Sequence, residues 1–159
     1  FHPKLKPVIG VLIGALFVAA SAIRASDFSS EESIWTATLK KNPSAWMAHN
    51  NLGISLAGRG KTQEAFSHYQ AAIENKPDYK EAYHNLGLLM MNERRLEEAA
   101  GYFAKALEIQ PFYAEARVSL GYAFFLSGKV TEAILEYNKV LETNPFHVIA
   151  HNNLGIALQ

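Results

Sequence analysis

The sequence contains no cysteine, which excludes structural disulfides, thiolate zinc sites and cysteine nucleophiles. That absence does not fix a compartment. An excess of either charge is also missing, since 15 Lys+Arg oppose 15 Asp+Glu over 159 residues. Such a balance argues against a nucleic-acid surface or a polybasic membrane surface as the main activity. Charged residues are few at 19% and hydrophobic ones make up 49%, too apolar for a disordered tail. No glycine-rich phosphate loop follows a strand, because no convincing strand pattern occurs. Asn42-Pro43-Ser44 fails as a glycan acceptor because proline sits in its middle. His147 and His151 lie one helical turn apart without a nearby Asp or Glu, so no metal and no cofactor are expected.

Of long apolar runs there is one. Val8 to Ile23 is sixteen residues without a charge, bracketed by Lys4, Lys6 and Arg24. At helical rise it reaches roughly 24 Å, short of the ~30 Å bilayer core. Snorkelling of Lys6 and Arg24 would close the gap. The leading reading of residues 1–28 is therefore a membrane-spanning helix with its flanks. A signal peptide competes, with Lys4 and Lys6 as the basic start and Ala20-Ser21-Ala22 as a small-x-small cleavage site. A buried soluble helix is the third reading. Either of the first two places the downstream residues on the extracytoplasmic side, in a periplasm or a lumen. The Lys/Arg count around the run does not itself orient it. Gly10 and Gly14 would permit close helix contact in a membrane, although glycine is simply common in such helices.

The remainder repeats with a period of 34. Leu52-Gly53 recurs as Leu86-Gly87, Leu120-Gly121 and Leu154-Gly155. Ala65 recurs as Ala99 and Ala133, Tyr69 as Phe103 and Tyr137, and Pro77 as Pro111 and Pro145. His49, Leu52, Gly53 and Leu56 gather on one face of a first helix; Ala65, Tyr69, Ala72 and Ile73 do so on a second. Gly58-Arg59-Gly60-Lys61 turns between them, and each unit ends near its proline, which cannot continue the helix. Gly53 and Ala65 let the two helices approach closely, and Tyr69 fills the space beside them. Tyr83, Met90 and Phe103 are inter-helix packing on this reading.

These columns resemble the tetratricopeptide repeat, whose Leu-Gly, Ala-x3-Phe and Pro signature they fit. The resemblance runs from Trp46 to the end and implies an all-α, right-handed superhelical array of helix-turn-helix units. The units are residues 46–79, 80–113 and 114–147, with a partial fourth at 148–159. One column departs from the family: where it favours a large aromatic early in the first helix, the chain has His49, Tyr83, Arg117 and His151. Looser, more exposed packing is expected at the three that are not Tyr83. Residues 29–45 read as a degenerate capping helix, with Ser29 and Glu32 at capping-box spacing and Pro43 lying 34 residues before Pro77. At the other end Leu154 and Leu158 lack a partner helix. The chain opens at Phe1 and stops partway through a unit, so it reads as part of a longer protein. A continuation would cover that face; contact between copies, a homo-oligomer, is the runner-up.

The resemblance also implies a concave face lined by the first helices. Its residues would be Met47, Asn50, Asn51, Ile54 and Ala57, then Glu81, His84, Asn85, Leu88 and Met91. Unit three adds Glu115, Val118, Ser119, Tyr122 and Phe125, and the fourth adds Asn152, Asn153 and Ile156. Asn51, Asn85 and Asn153 share one column, interrupted by Ser119. A carboxamide offers an acceptor and a donor together, so it can pair with a peptide bond whatever the side chains beside it. The column is similar to the asparagine ladder in the repeats of O-linked N-acetylglucosamine transferases. Leu88, Met91, Tyr122 and Phe125 would add apolar grip. The alternative is that these amides support hydrogen bonds between repeats. If the column faces the groove, replacing Asn51 and Asn85 by Ala should weaken partner binding and leave melting nearly unchanged. The groove lacks the Lys/Arg pattern with which some tetratricopeptide domains clamp a carboxylate.

Two readings follow. One is a membrane-tethered scaffold that binds a protein or extended peptide, with no catalysis in these residues and no nucleic-acid partner. The other is the C-terminal acceptor-binding region of a polytopic membrane glycosyltransferase. It rests on the order of the apolar span, Arg24, Ser30-to-Trp35, Lys41-Asn42-Pro43 and Ala48-to-Gly53. That order resembles the junction in membrane mannosyltransferase-like proteins with C-terminal repeats, whose catalytic loops would lie outside this chain.

Overall fold

The computed structural model describes residues 31–159. Every regular element among them is a helix: α1 (residues 31–41), then α2 (Trp46–Gly58), α3 (Thr62–Asn75), α4 (Lys80–Asn92), α5 (Leu96–Ile109), α6 (Ala114–Leu126), α7 (Val130–Thr143) and α8 (Val148–Ala157). The apolar run Val8–Ile23 and the expected cap Ser29 lie outside the described residues. No described helix is long and apolar enough to cross a membrane.

The turn inside each unit is set by one backbone position. Gly60, Arg94 and Gly128 all have left-handed φ, at 74°, 62° and 77°. Around this residue its own amide and the next one fold back on the first helix. Gly60 N donates to Ala57 O at 3.0 Å and Lys61 N to Leu56 O at 2.9 Å. The same pair of bonds recurs from Arg94 and Arg95, and from Gly128 and Lys129. Nested bonds of this kind satisfy carbonyls that a helix end otherwise leaves open.

Close approach within a unit depends on glycine in the first helix. A methyl group on Gly53, Gly87 or Gly121 would lie 2.6, 2.4 or 2.6 Å from the ring of Tyr69, Phe103 or Tyr137. The opposing Ala65, Ala99 and Ala133 are fully buried. Complete burial of a ring such as Phe103 contributes on the order of 2–3 kcal/mol by area. The core runs from Trp35 and Leu39 of α1 through Leu52, Leu86 and Phe103 to Leu120. Phe124 joins it to a second cluster around Val118, Tyr137 and Ala150.

Neighbouring first helices touch along the array, α2 with α4, α4 with α6 and α6 with α8. Among the described residues no second helix touches the next, neither α3 with α5 nor α5 with α7. The first helices thus form the inner, closer-packed layer, and the array curves around them.

The departing column is better satisfied than its composition suggests. His49 donates Nε2–H to the Pro43 carbonyl at 2.9 Å and meets His68 Nδ1 to Nδ1 at 2.9 Å. Arg117 pairs with the buried Glu136 at 2.7 Å and also donates to the Pro111 carbonyl. His151 reaches the Pro145 carbonyl at 2.8 Å. A donor at this column therefore fastens α2, α6 and α8 to the proline turn before each of them. Looseness is found at His151 alone, which is exposed; His49 and Arg117 are half-buried. Glu32 pairs with Arg59 and lies 3.5 Å from Lys61, so its carboxylate ties α1 to the α2–α3 turn. At the far end Gly155 has nothing within 4 Å where its three counterparts carry a ring, and Val148, Ile149 and Leu158 are exposed.

Candidate interaction groove

The inner layer sorts the expected groove residues into three columns with different fates. The first is Asn50, His84, Val118 and Asn152. Asn50 is 3% exposed, and its Oδ1 accepts from Asn85 Nδ2 at 2.8 Å. A side chain so enclosed does not present itself to a ligand, so Asn50 is corrected from a groove contact to a bond between repeats. His84 is half-buried and its Nε2 lies 3.1 Å from Ser119 Oγ. Both bonds join residues 35 apart, one position further along the next first helix. Val118 takes the corresponding place in the third unit and is buried; Asn152 is exposed.

Asn51, Asn85, Ser119 and Asn153 form the second column, all half-buried. Asn85 and Ser119 are the partners just described, and Asn51 Oδ1 accepts weakly from Asn50 Nδ2 at 3.4 Å. Asn153 adjoins the buried Tyr137 phenol. Burial pushes that phenol up to about 12, and Asn153 partly offsets the effect.

Ile54, Leu88, Tyr122 and Ile156 make the third column, and they are 42%, 37%, 40% and 55% exposed. Large apolar side chains thus stand exposed at four successive positions of the inner layer. Met91 and Phe125, half-buried, flank this column.

Electrostatics along the groove are mild. Lys80 is paired with Glu81 at 2.6 Å and sits 5.3 Å from the Tyr113 ring centre. Burial, opposed by Glu115 and Glu81, holds His84 below the usual histidine range. The imidazole lies between Phe103 and Tyr113, at 5.5 and 5.4 Å between ring centres. The three columns contain no Lys or Arg.

Two of the clefts that border the first unit bear on the expected residues. One, of about 410 Å3, lies among α1, α2 and α3 and is lined by His49, His68, Glu32 and Glu64 with Leu39 and Leu52. No three such side chains among the described residues are arranged to hold a metal. The other, of about 300 Å3, opens on the groove between α2 and α4. Ile54, Asn85 and Leu88 line it as members of the expected set; Gly58, Tyr69, Leu89 and Asn92 line it too and had no functional reading from sequence. The signal for them was a comparison of columns: Ala57 and Gly58 stand where later units have Met91 and Asn92, then Phe125 and Leu126.

The tetratricopeptide repeat profile matches residues 19–80, 54–114 and 84–147, which together span most of the chain. The chain belongs to the tetratricopeptide repeat family. No curated relative matches it by sequence. Among solved structures it is similar to MamA, with a TM-score of 0.74 at 23% identity over 83% of this chain and 77% of that one. The first tetratricopeptide domain of Spaghetti (RPAP3), solved with the HSP90 peptide SRMEEVD, gives 0.68 at 24% over 72% and 90%. YrrB, described as a tetratricopeptide protein with an unusual peptide-binding site, gives 0.67 at 21% over 86% and 70%. At these identities the likeness concerns the fold.

Proposed function

We propose that this repeat array is a protein-interaction scaffold whose inner groove binds an extended, largely uncharged polypeptide segment. The observation that supports it is the exposed column Ile54, Leu88, Tyr122 and Ile156, with the carboxamides of Asn51 and Asn85 beside it. The apolar column supplies area, and the amides supply sequence-tolerant pairing to backbone. Peptide binding by the Spaghetti domain and by YrrB is consistent with this reading. An acidic tail such as SRMEEVD is a poor fit here, because the three columns offer no cation to a carboxylate. Selection of a random peptide library on the full chain tests the reading. Peptides should be enriched, and Leu88→Asp with Tyr122→Asp should abolish their binding without unfolding the array. Equal binding to that variant would sink the groove.

Our reading extends to the setting: Val8–Ile23 anchors the scaffold in a membrane, with the array on the extracytoplasmic side. Carbonate extraction that leaves the protein in the pellet with this segment retained supports the anchor; release of a chain starting at Ile23 refutes it. The order of features at the junction favours a second reading, the acceptor-binding region of a membrane glycosyltransferase. Several apolar spans in the reading frame upstream of Phe1 would support that one.

A further inference from the structure

We infer that the cleft between α2 and α4 is a specificity pocket that takes one neutral aromatic side chain from the segment bound in the groove. The inference rests on the groove reading and adds to it the identity of the anchor.

The cleft lies where the first unit is small and the others are large. Its walls are Ile54, Ala57, Leu88 and Leu89 with the Tyr69 ring, and Gly58 lies at its edge. The same two columns hold Met91 and Asn92 in unit two, and Phe125 and Leu126 in unit three. Ala57 and Gly58 are thus smaller than the thioether, amide, ring and isobutyl groups that stand in these columns further along. About 300 Å3 is ample for a single aromatic side chain and too little for a folded element.

The chemistry of the lining selects among side chains. None of the eight lining residues is charged, so a carboxylate or ammonium entering it would lose hydration with no partner in return. The aliphatic walls and the Tyr69 ring favour apolar area, which an aromatic group supplies with few rotatable bonds. The carboxamides of Asn85 and Asn92 also line the cleft. No hydrogen bond among the described residues engages the Asn92 side chain. A phenol or indole would place its polar atom within reach of such an amide, as a plain hydrocarbon side chain would not. Asn85, held by Asn50, is positioned to fix the backbone beside the anchor.

The test uses the full chain and three probes, N-acetyl-tyrosinamide, N-acetyl-leucinamide and N-acetyl-aspartamide, followed by amide chemical shifts. Saturable shifts at Ile54, Ala57, Leu88 and Leu89 are expected with the tyrosine probe. The leucine probe should bind more weakly and the aspartate probe should leave these residues unmoved. Ala57→Met installs the residue that unit two has in this column, so the helix will accept it. It should weaken the tyrosine probe at least tenfold. Gly58→Asn copies Asn92 of unit two in the same way and is a second obstruction, from the edge. Equal shifts from the tyrosine and aspartate probes, or shifts indifferent to Ala57→Met, overturn the pocket. Library selection separates the two levels. If peptides are enriched on both proteins with no aromatic preference that Ala57→Met removes, the pocket falls and the groove stands. Absence of any enriched peptide brings down both.

Discussion

His49 and His68 face each other nitrogen to nitrogen, Nδ1 to Nδ1 at 2.9 Å, across the interface of α2 and α3. The Pro43 carbonyl can only accept, so the His49 Nε2 beside it must bear a hydrogen. Neutral His49 therefore has a bare Nδ1, and His68 is the donor. Burial is the main reason His68 lies below the usual histidine range, followed by His49, against the opposing pull of Glu64.

That geometry makes the array acid-sensitive. A histidine with a lowered folded value binds fewer protons in the native state than in the unfolded one. Its contribution is complete above the unfolded value near 6.5 and is lost progressively as pH falls below it. His84 is shifted in the same direction, by burial. The thermal midpoint should drop between pH 7 and pH 5. Replacing His49 and His68 together by Tyr copies the Tyr83 and Tyr102 of unit two, and this variant should show a shallower fall. An identical pH profile would mean that these two histidines do not account for the fall.

Glycine in one column has opposite consequences at two places. Gly87→Ala forces a methyl to 2.4 Å from the Phe103 ring and should cost about 1–3 kcal/mol by overpacking. Gly155→Ala meets nothing within 4 Å in α8. It should gain about 0.5–1 kcal/mol of helix stability. Denaturant titration of the two variants checks the sign of each.

Arg94 holds φ 62° where its counterparts Gly60 and Gly128 hold 74° and 77°. A side chain in this region is disfavoured by roughly 1–2 kcal/mol, while glycine adds freedom to the unfolded chain. Arg94→Gly should therefore stabilise by about 0.5–1 kcal/mol, raising the melting temperature by roughly 1–4 °C. Gly128→Ala should lower it by a similar amount.

The repeat was legible because its columns are contacts between neighbours in sequence. Gly53 and Tyr69, or Gly87 and Phe103, are sixteen residues apart and recur three times, so period and packing are one signal. The inner face was legible as a stripe, and Ile54, Leu88 and Tyr122 lie open on it. The roles of the polar residues were less legible. Asn50 and Asn51 are adjacent, and sequence cannot say which points between repeats; that depends on the crossing of α2 and α4. Arg117 looked like a mismatch until Glu136 and the Pro111 carbonyl stood beside it. Glu32 had capping-box spacing, yet its carboxylate is drawn to Arg59 across the turn. In each case a charged or amide group chose a distant partner over a local one.

The two asparagines separate stability from binding. Asn85 donates to a buried Asn50 at 2.8 Å, so the joint replacement of Asn51 and Asn85 by Ala is not silent in melting. Asn85→Ala strands a buried acceptor, and Asn50→Ala removes that acceptor from an enclosed site. Each should cost about 1–3 kcal/mol. Asn51 makes one long contact at 3.4 Å, and Asn51→Ala should cost less than about 0.5 kcal/mol. If carboxamides at the groove pair with a peptide backbone, Asn51→Ala should still weaken binding of a selected peptide severalfold at unchanged melting temperature. Unchanged affinity for Asn51→Ala, alongside a destabilised Asn50→Ala, would assign the amides to the joint between repeats and leave recognition to the apolar column.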